Sequence, residues 1–527
     1  MVRKKNKAPK PMKTRRLSPW RLLFAFVMLG VIGFGGTYGV QQWRADDTTV
    51  TSRQPWFAGY VDVTATPTFA FEQMGANSNR DAVLSFVVSS PSDACTPSWG
   101  ASYTMDQASA SLDLDRRIAR LQQQGGSVAI SFGGLSNSEL AVKCTDSSKL
   151  LSAYQSVVDR YNINTIDLDL EESGLTTPGA GARRAAAIAQ LQSARRKEGK
   201  ALAVWVTLPV TPQGLSEDGT NAVQQLLAAH VDLAGVNIMT MDYGNSLTSG
   251  QTMLTGSESA LTQTERQLGI LYQRAGIHLN DKDLWAKLGA TPMIGQNDDS
   301  GEIFTLDYAK AFNAFASAHG IGRMSMWSAN RDVTCGSNYV DLSVVSDSCS
   351  GVNEGSQTFA SLLGYGFKGD ITLSAGVVTK ADPQATQTPD NPATSPYQIW
   401  NASNAYLEGT KVVWHHNVYQ AKWWTQGDVP DDPVLQSYQT PWTLIGPVLP
   451  GEKPIPQATL PAGTYPTWSG TATYNTSDRV LFDGVPYQAK WWNQGQSPAA
   501  ASSNPDASPW VALTQAQINA VLSTAKK

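Results

Sequence analysis

The chain has 527 residues, enough for two or more domains, and its 41% hydrophobic content allows a large core. The net charge is −4, but nine Lys or Arg and no acid fall within residues 1–21, which leaves −13 on the rest. An acidic body argues against nucleic acid as the partner, and of five His only the adjacent His415 and His416 stand close together, a pair expected at a turn rather than on a metal.

Residues 1–21 form a basic tail. Leu22 to Val40 follows, nineteen residues without a charge. At about 1.5 Å per residue it just covers a hydrocarbon core of ~30 Å. The long basic region and the lack of a small-x-small cleavage site favour an uncleaved N-terminal anchor, with everything after it exported. A cleaved signal peptide and a secreted protein are the rival reading. Export suits disulfides: four cysteines allow three pairings, and the expected one, Cys95–Cys144 with Cys335–Cys349, closes two modest loops.

Eight strand-like runs come next: Phe57–Val63, Val83–Val88, Ser127–Phe132, Thr165–Leu170, Ala201–Leu208, Ala234–Thr240, Ala286–Thr291 and Arg323–Ser328. Most are short, apolar and β-branched or aromatic, as in strands buried on both faces. Helical patterns such as Ser111–Gln123 and Ala182–Lys197 separate them. Eight alternations predict an α/β fold, a (β/α)8 TIM barrel over residues 55–378. An open doubly wound sheet also alternates, but no GxGxxG follows a strand here.

The fourth run carries the chemistry. In NTIDLDLEE (164–172), Asp167, Asp169 and Glu171 alternate with Ile166, Leu168 and Leu170. A strand puts the three carboxylates on one face and the three aliphatics on the other. Burying three acids together costs several kcal/mol unless the charge is shared. A solvated strand edge is the bland alternative, but its flanks would seldom be so apolar. An active site in which crowded carboxylates raise one another's pKa fits better. Glu171 falls at the C-terminal end of the strand, where barrels keep their chemistry. Glu172 points to the other face.

Residues 379–396 are rich in Pro, Thr, Ala and Gln and read as a linker. Nine of the sixteen Trp lie beyond it. There the sequence repeats with an offset of 68: Tyr419-Gln420-Ala421-Lys422-Trp423-Trp424 recurs as Tyr487-Gln488-Ala489-Lys490-Trp491-Trp492, and Pro441-Trp442 as Pro509-Trp510. Two small all-β units are expected at 397–446 and 465–513, joined by a linker at 447–464 and followed by a tail at 514–527. Units this small need some Trp as core, and Trp400 and Trp442 suit that role. Of each adjacent Trp pair, one should be exposed, since neighbours on a strand cannot both point inward.

These motifs carry a family resemblance. NTIDLDLE resembles the DxxDxDxE signature of glycoside hydrolase family 18, the chitinase family. Ser131-Phe132-Gly133-Gly134 is similar to its third-strand SxGG, and Met239-Thr240-Met241-Asp242-Tyr243 to its sixth-strand motif. Trp327 stands where the family carries an eighth-strand Trp. The resemblance covers about residues 55–375. The repeats resemble carbohydrate-binding modules of families 5 and 12, which bind chitin and carry an AKWW signature.

The resemblance implies retaining, substrate-assisted hydrolysis of β-1,4 links between N-acetylglucosamine units of chitin. Glu171 would protonate the glycosidic oxygen, and the substrate's acetamido oxygen would attack the anomeric carbon. Asp169 would orient the acetamido N–H and stabilise the developing charge, with Asp167 sharing charge behind it. Tyr243 or Asp242 would hold the acetamido carbonyl. Trp327 would floor the sugar, and Met239, Gly133, Gly134 and Gln296 would line its site. Tyr419, Trp423, Trp424, Tyr487, Trp491 and Trp492 would meet chitin. Two departures stand out: Asn164 replaces the first acid of the signature, and the sixth-strand motif lacks the common MxYD order. No metal or organic cofactor is implied. The expected partners are chitin, its oligomers and, through the N-terminal segment, a membrane; the expected state is a monomer. A chitin lectin that has lost its acid, and an endo-β-N-acetylglucosaminidase on N-glycans, are the alternatives. The intact acids argue against the first and the chitin-type modules against the second.

Overall fold

The computed structural model describes residues 54–76, 80–299, 301–337, 344–371, 389–449, 451–453, 459–499 and 508–524. The expected membrane segment 22–40 lies outside them. Among the described residues no helix is long and apolar enough to cross a membrane.

Eight parallel strands form the first unit. They are β1 (Trp56–Phe57 and Gly59–Asp62, broken at Ala58), β2 (Ala82–Ser89), β3 (Val128–Gly133), β4 (Thr165–Asp169), β5 (Ala203–Thr211), β6 (Leu233–Met239), β7 (Leu288–Thr291) and β8 (Arg323–Met324). Each pairs with the next. The first half of β1 pairs with β8, Trp56 opposite Arg323, and its second half with β2, Tyr60 opposite Val83. The sheet therefore closes on itself, as the eight apolar runs predict.

Helices follow β2 to β8: α1 (Leu114–Gln123), α2 (Ser147–Arg160), α3 (Ala180–Lys197), α4 (Glu217–Ala228), α5 (Met253–Arg274), α6 (Leu306–His319) and α7 (Phe359–Leu363). Local chemistry sets their ends. Asp146 accepts the amides of Ser148 and Lys149 to start α2, and Gly320, at φ 75°, ends α6. Two expectations change. A 3-10 turn, Phe71–Ala76, stands where a helix after β1 was expected. The pattern read as one helix over 111–123 is split at Asp113, whose φ of 51° breaks it from the preceding Met105–Leu112. Both disulfides take the expected pairing.

Strand alternation builds two shells. Ile166, Leu168 and Leu170 join the apolar layer between strands and helices. Inside the barrel, Ala58, Ala129, Ala203 and Ala234 leave room for Trp56 and Trp205, which meet edge to face at 5.7 Å. Gly235 of β6 is part of this fit: a Cβ there would come within 2.3 Å of the Trp205 ring and 2.4 Å of the Lys287 carbonyl oxygen.

The repeats are two copies of one β unit. Each has a three-stranded antiparallel sheet, Lys411–Trp414, Asn417–Ala421 and Trp442–Pro447 in the first and Arg479–Phe482, Val485–Ala489 and Trp510–Ala512 in the second. Their cores correspond residue by residue: Tyr406, Val412, Tyr419, Ala421 and Trp442 match Tyr474, Val480, Tyr487, Ala489 and Trp510. Tyr419 and Tyr487 are thus core residues, not the surface aromatics expected. Both members of each Trp pair are exposed, Trp423 45%, Trp424 54%, Trp491 43% and Trp492 60%. The alternation rule misses this because the strands end at Ala421 and Ala489 and the pairs lie on the bend beyond. His415 and His416 occupy the hairpin turn at positive φ, as expected.

Described residues in both stretches read as linkers contact the β units. Asp390 already accepts the amides of His415 and His416, and Leu460 packs with Leu481, Leu513 and Ile518 of the tail helix Gln515–Thr524. For the barrel, replacing Gly235 with Ala should overpack the interior and cost about 1–3 kcal/mol or more. Thermal or denaturant unfolding of the full chain measures this.

Candidate active site

The three carboxylates of the fourth strand face the barrel interior at graded depth. Asp167 is fully buried, Asp169 is 4% exposed, and Glu171, just past the end of β4, is half-buried at the mouth. Asp167 is surrounded by donors from four other strands. Its Oδ2 accepts from Tyr60 Oη of β1 (2.8 Å) and Ser131 Oγ of β3 (2.8 Å), and its Oδ1 from Thr207 Oγ1 of β5 (2.7 Å) and Arg323 Nη1 of β8 (2.7 Å). Asn237 of β6 donates to Thr207 in turn. Arg323 also donates to Tyr60 and Ser325, and its guanidinium lies 5.1 Å from the Trp56 ring and 5.5 Å from Trp205.

Asp167 is tied first to the donors around it. Its hydrogen bonds go to Tyr60, Ser131, Thr207 and Arg323; none among the described contacts joins it to Asp169. It is the counter-ion of a buried arginine before it is a proton-sharing partner. Such a pair is costly to break, since either charge alone would be stranded without water.

Asp169 is in the opposite situation. One of its carboxylate oxygens, Oδ1, is buried without a hydrogen-bond partner. Burial pushes its pKa well above the usual range, with the charges of Glu171 and Asp167 adding to the rise and Arg323 opposing it. Burial also raises Glu171, to about 7, helped by Glu172 and Asp242. Near neutral pH Glu171 is therefore partly protonated, as a proton donor requires.

The turn after Glu171 is held from beneath. Gly174 N–H donates to the Glu171 carbonyl (2.6 Å), and Arg184 Nη2 to the Gly174 carbonyl (2.9 Å). Arg184 is ion-paired to the buried Glu139 (2.9 Å), which also takes a hydrogen bond from Tyr154. Gly133 and Gly134 let β3 approach β4. A Cβ at Gly133 would lie 1.9 Å from the Asp169 carbonyl oxygen, and one at Gly134 2.8 Å from the Phe86 ring.

Above the carboxylates a cleft of about 440 Å³ opens. Its lining includes Asp169, Glu171, Gly133, Met239, Asp242 and Trp327 among the residues expected from sequence. Trp327 stacks on Phe86 with centroids 5.6 Å apart, and Tyr60 packs against both. Together they make an aromatic floor. A shift in register between Leu84 and Val87 turns Phe86 inward, a bulge that alternation alone does not reveal.

Three expected residues sit elsewhere. Tyr243 is buried behind the site, its hydroxyl donating to Ser257 of α5 (3.1 Å). Burial pushes its pKa well above the usual tyrosine range, so the hydroxyl keeps its proton. Gln296 packs beside Gly351, and Gly134 contacts Phe86; neither lines the cleft. Of the two candidates for an acetamido contact, only Asp242 reaches the cleft. Its Oδ1 accepts the amides of Asp298 and Asp299, and its backbone has φ 48°. Sequence reading missed Tyr60, Phe86, Thr207, Met241 and Arg323. The one available signal was Arg323 itself, a charge in phase with Ser325 and Trp327 at the start of an apolar run.

Both parts of the chain resemble known proteins. Residues 467–511 match the family model described as carbohydrate-binding module family 5/12. The chain is 33% identical over 295 residues to a probable bifunctional chitinase/lysozyme of Escherichia coli, covering 55% of this chain and 32% of that protein. It is 33% identical over 290 residues to Endochitinase 11 of Metarhizium anisopliae, covering 54% of each. The chain thus spans about a third and about half the length of these two relatives. In fold it resembles the catalytic domain of a hyperthermophilic chitinase from Pyrococcus furiosus, with a TM-score of 0.50 at 24% identity over 63% of this chain and 99% of that one.

Two measurements test the electrostatics. Arg323→Met should destabilise the fold by roughly 3–5 kcal/mol in denaturant, and Arg323→Met with Asp167→Asn should recover part of that loss. Glu171 has a folded pKa raised above its unfolded value of 4.5, so the folded state holds the proton longer. Stability should therefore fall as pH rises from 4.5 to about 7. Glu171→Gln should remove the share of that slope due to Glu171 and be more stable than the parent above pH 7 by roughly 1–3 kcal/mol, the rest of the slope remaining with Asp81, Glu265 and Glu354. Paired denaturation curves at pH 4.5 and pH 8 read it out.

Proposed function

We propose that the chain is a family 18 glycoside hydrolase that cleaves β-1,4 links between N-acetylglucosamine units of chitin. The observation that carries this reading is the pairing of two unlike acids in one cleft. Glu171 stands at the mouth with a pKa of about 7, and Asp169 stands beneath it with a buried oxygen that has no protein partner. Glu171 is the general acid. It gives its proton to the glycosidic oxygen as the bond to the anomeric carbon breaks. Asp169 Oδ1 accepts the N–H of the 2-acetamido group, which turns the acetamido oxygen toward that carbon. The oxygen attacks and an oxazolinium ion forms. Its positive charge favours ionised Asp169, so the acid that is costly to ionise in the empty site becomes cheap to ionise as the intermediate develops.

The ionised Glu171 then takes a proton from water, which opens the ring with retained configuration. No external nucleophile is needed. Trp327, stacked on Phe86, offers an apolar platform for the sugar, and Asp242 replaces Tyr243 as the cleft-facing polar group of the sixth strand. Asp167 acts through Arg323 and Tyr60 by fixing the floor on which Asp169 rests. The repeats, with their exposed Trp pairs, hold the enzyme on insoluble chitin, where a second binding event adds avidity more than specificity. In this reading the N-terminal segment anchors a monomer whose catalytic part lies outside the cytoplasm.

Glu171→Gln should abolish hydrolysis of colloidal chitin and chito-oligosaccharides while binding to chitin persists. Substantial turnover in that variant would sink the mechanism. For the parent, kcat/KM should decline above pH of about 7 as Glu171 loses its proton in the free enzyme. A product series from purified chitin, set against a glycoprotein substrate, separates this activity from N-glycan cleavage.

A further inference from the structure

The two repeats share a fold but differ at one segment. In the first, residues 433–436 read Pro-Val-Leu-Gln; at the same offset the second has Ala501-Ser502-Ser503-Asn504. In the first repeat this segment lies on the barrel. Leu435 is buried within the barrel's own outer apolar layer. Three consecutive carbonyls around it are taken by barrel side chains. Pro433 O accepts from Arg274 Nη2 (3.1 Å), Val434 O from Arg266 Nη1 (2.7 Å), and Leu435 O from Arg266 Nη2 (3.0 Å) and Gln267 Nε2 (3.1 Å). Gln436 returns a hydrogen bond to the Leu215 carbonyl (3.1 Å). All four barrel residues lie on α5 or on the short strand Gly214–Leu215 that folds back antiparallel on the end of β5.

On its other side the same loop is held by Lys422, the residue before the aromatic pair. Lys422 donates to the Ser437 carbonyl, and its ammonium lies 4.9 Å from the Trp423 ring. One short loop thus joins α5 to Lys422, next to the exposed Trp423 and Trp424.

We infer that the first module is a fixed part of the catalytic unit, docked on α5 through Leu435 and its flanking carbonyls, whereas the second module lacks the residues for this contact. The partner of this surface is the chain's own barrel. A leucine peg ringed by three satisfied carbonyls is the pattern of a specific interface, in which an apolar anchor is sealed by hydrogen bonds. A tether alone requires neither. Taken with the chitin reading above, on which this consequence rests, docking sets Trp423 and Trp424 at one distance from the cleft.

The test uses the full chain. Thermolysin cleaves before large aliphatic residues, so the Val434–Leu435 bond reports directly on undocking. The parent should resist cleavage there. Arg266→Met, which removes two of the hydrogen bonds without adding a charge, should be cut about tenfold faster, following the population of the undocked form. Leu435→Asp should increase the maximum dimension in small-angle X-ray scattering, while Ser503→Asp at the matching place in the second repeat should not. Cleavage of the parent as fast as Arg266→Met, or scattering from Leu435→Asp that matches the parent, would overturn the docking. Neither measurement involves a saccharide, so its failure stays distinct from a failure to hydrolyse chitin.

Discussion

The barrel is organised around an ion pair that has no access to water. Arg323 and Asp167 meet at 2.7 Å with both side chains almost fully buried. Each is expensive alone, and neither is alone: the carboxylate accepts four hydrogen bonds and the guanidinium lies among Trp56, Trp205 and Tyr60. Because the donors come from strands 1, 3, 5 and 8, the pair fixes the register of the barrel as well as its charge. It also sets the terms for the next carboxylate up the strand. The charges of Glu171 and then Asp167 raise the cost of ionising Asp169, while Arg323 lowers it. Asp169 is held between those two influences, with desolvation the larger, and that balance is what a developing cation can tip.

Much of this was legible in the sequence because it depends on short-range periodicity. Strands buried on both faces are short apolar runs, and all eight can be read as such. The every-second-residue spacing of Asp167, Asp169 and Glu171 needs no tertiary information to share a face, and the order of depth follows from strand direction. The 68-residue repeat likewise predicts two equal folds, and the matching cores show why the repeated residues are the ones that recur.

What was not legible depends on where chains turn or which strands meet. Arg323 lies 156 residues from Asp167, and only closure of the barrel makes it a neighbour. Phe86 reaches the floor because β2 bulges. Tyr243 misses the cleft because the chain leaves β6 at Met239, and Asp242 at positive φ turns the following side chain toward α5. Tyr419 is core because it is still on a strand, and Trp423 and Trp424 are both exposed because they lie past its end. The errors at Tyr243 and at the Trp pairs come from extending a strand's alternation two to four residues beyond the point where the hydrogen-bonded ladder stops.

That limit bears on the acid itself. Glu171 also lies beyond the last residue of β4, and its position is not maintained by the sheet. It is maintained by the turn: Gly174 N–H on the Glu171 carbonyl, Arg184 on Gly174, and Glu139 with Tyr154 on Arg184. The inner pair, Asp167 with Arg323, and this outer pair, Glu139 with Arg184, therefore divide the work. The first sets the charge environment beneath the reacting group, and the second sets where the proton donor stands above it. An acid at a barrel mouth is half in solvent and gains little rigidity from packing, so a buried ion pair under its turn supplies the constraint that the strand no longer provides.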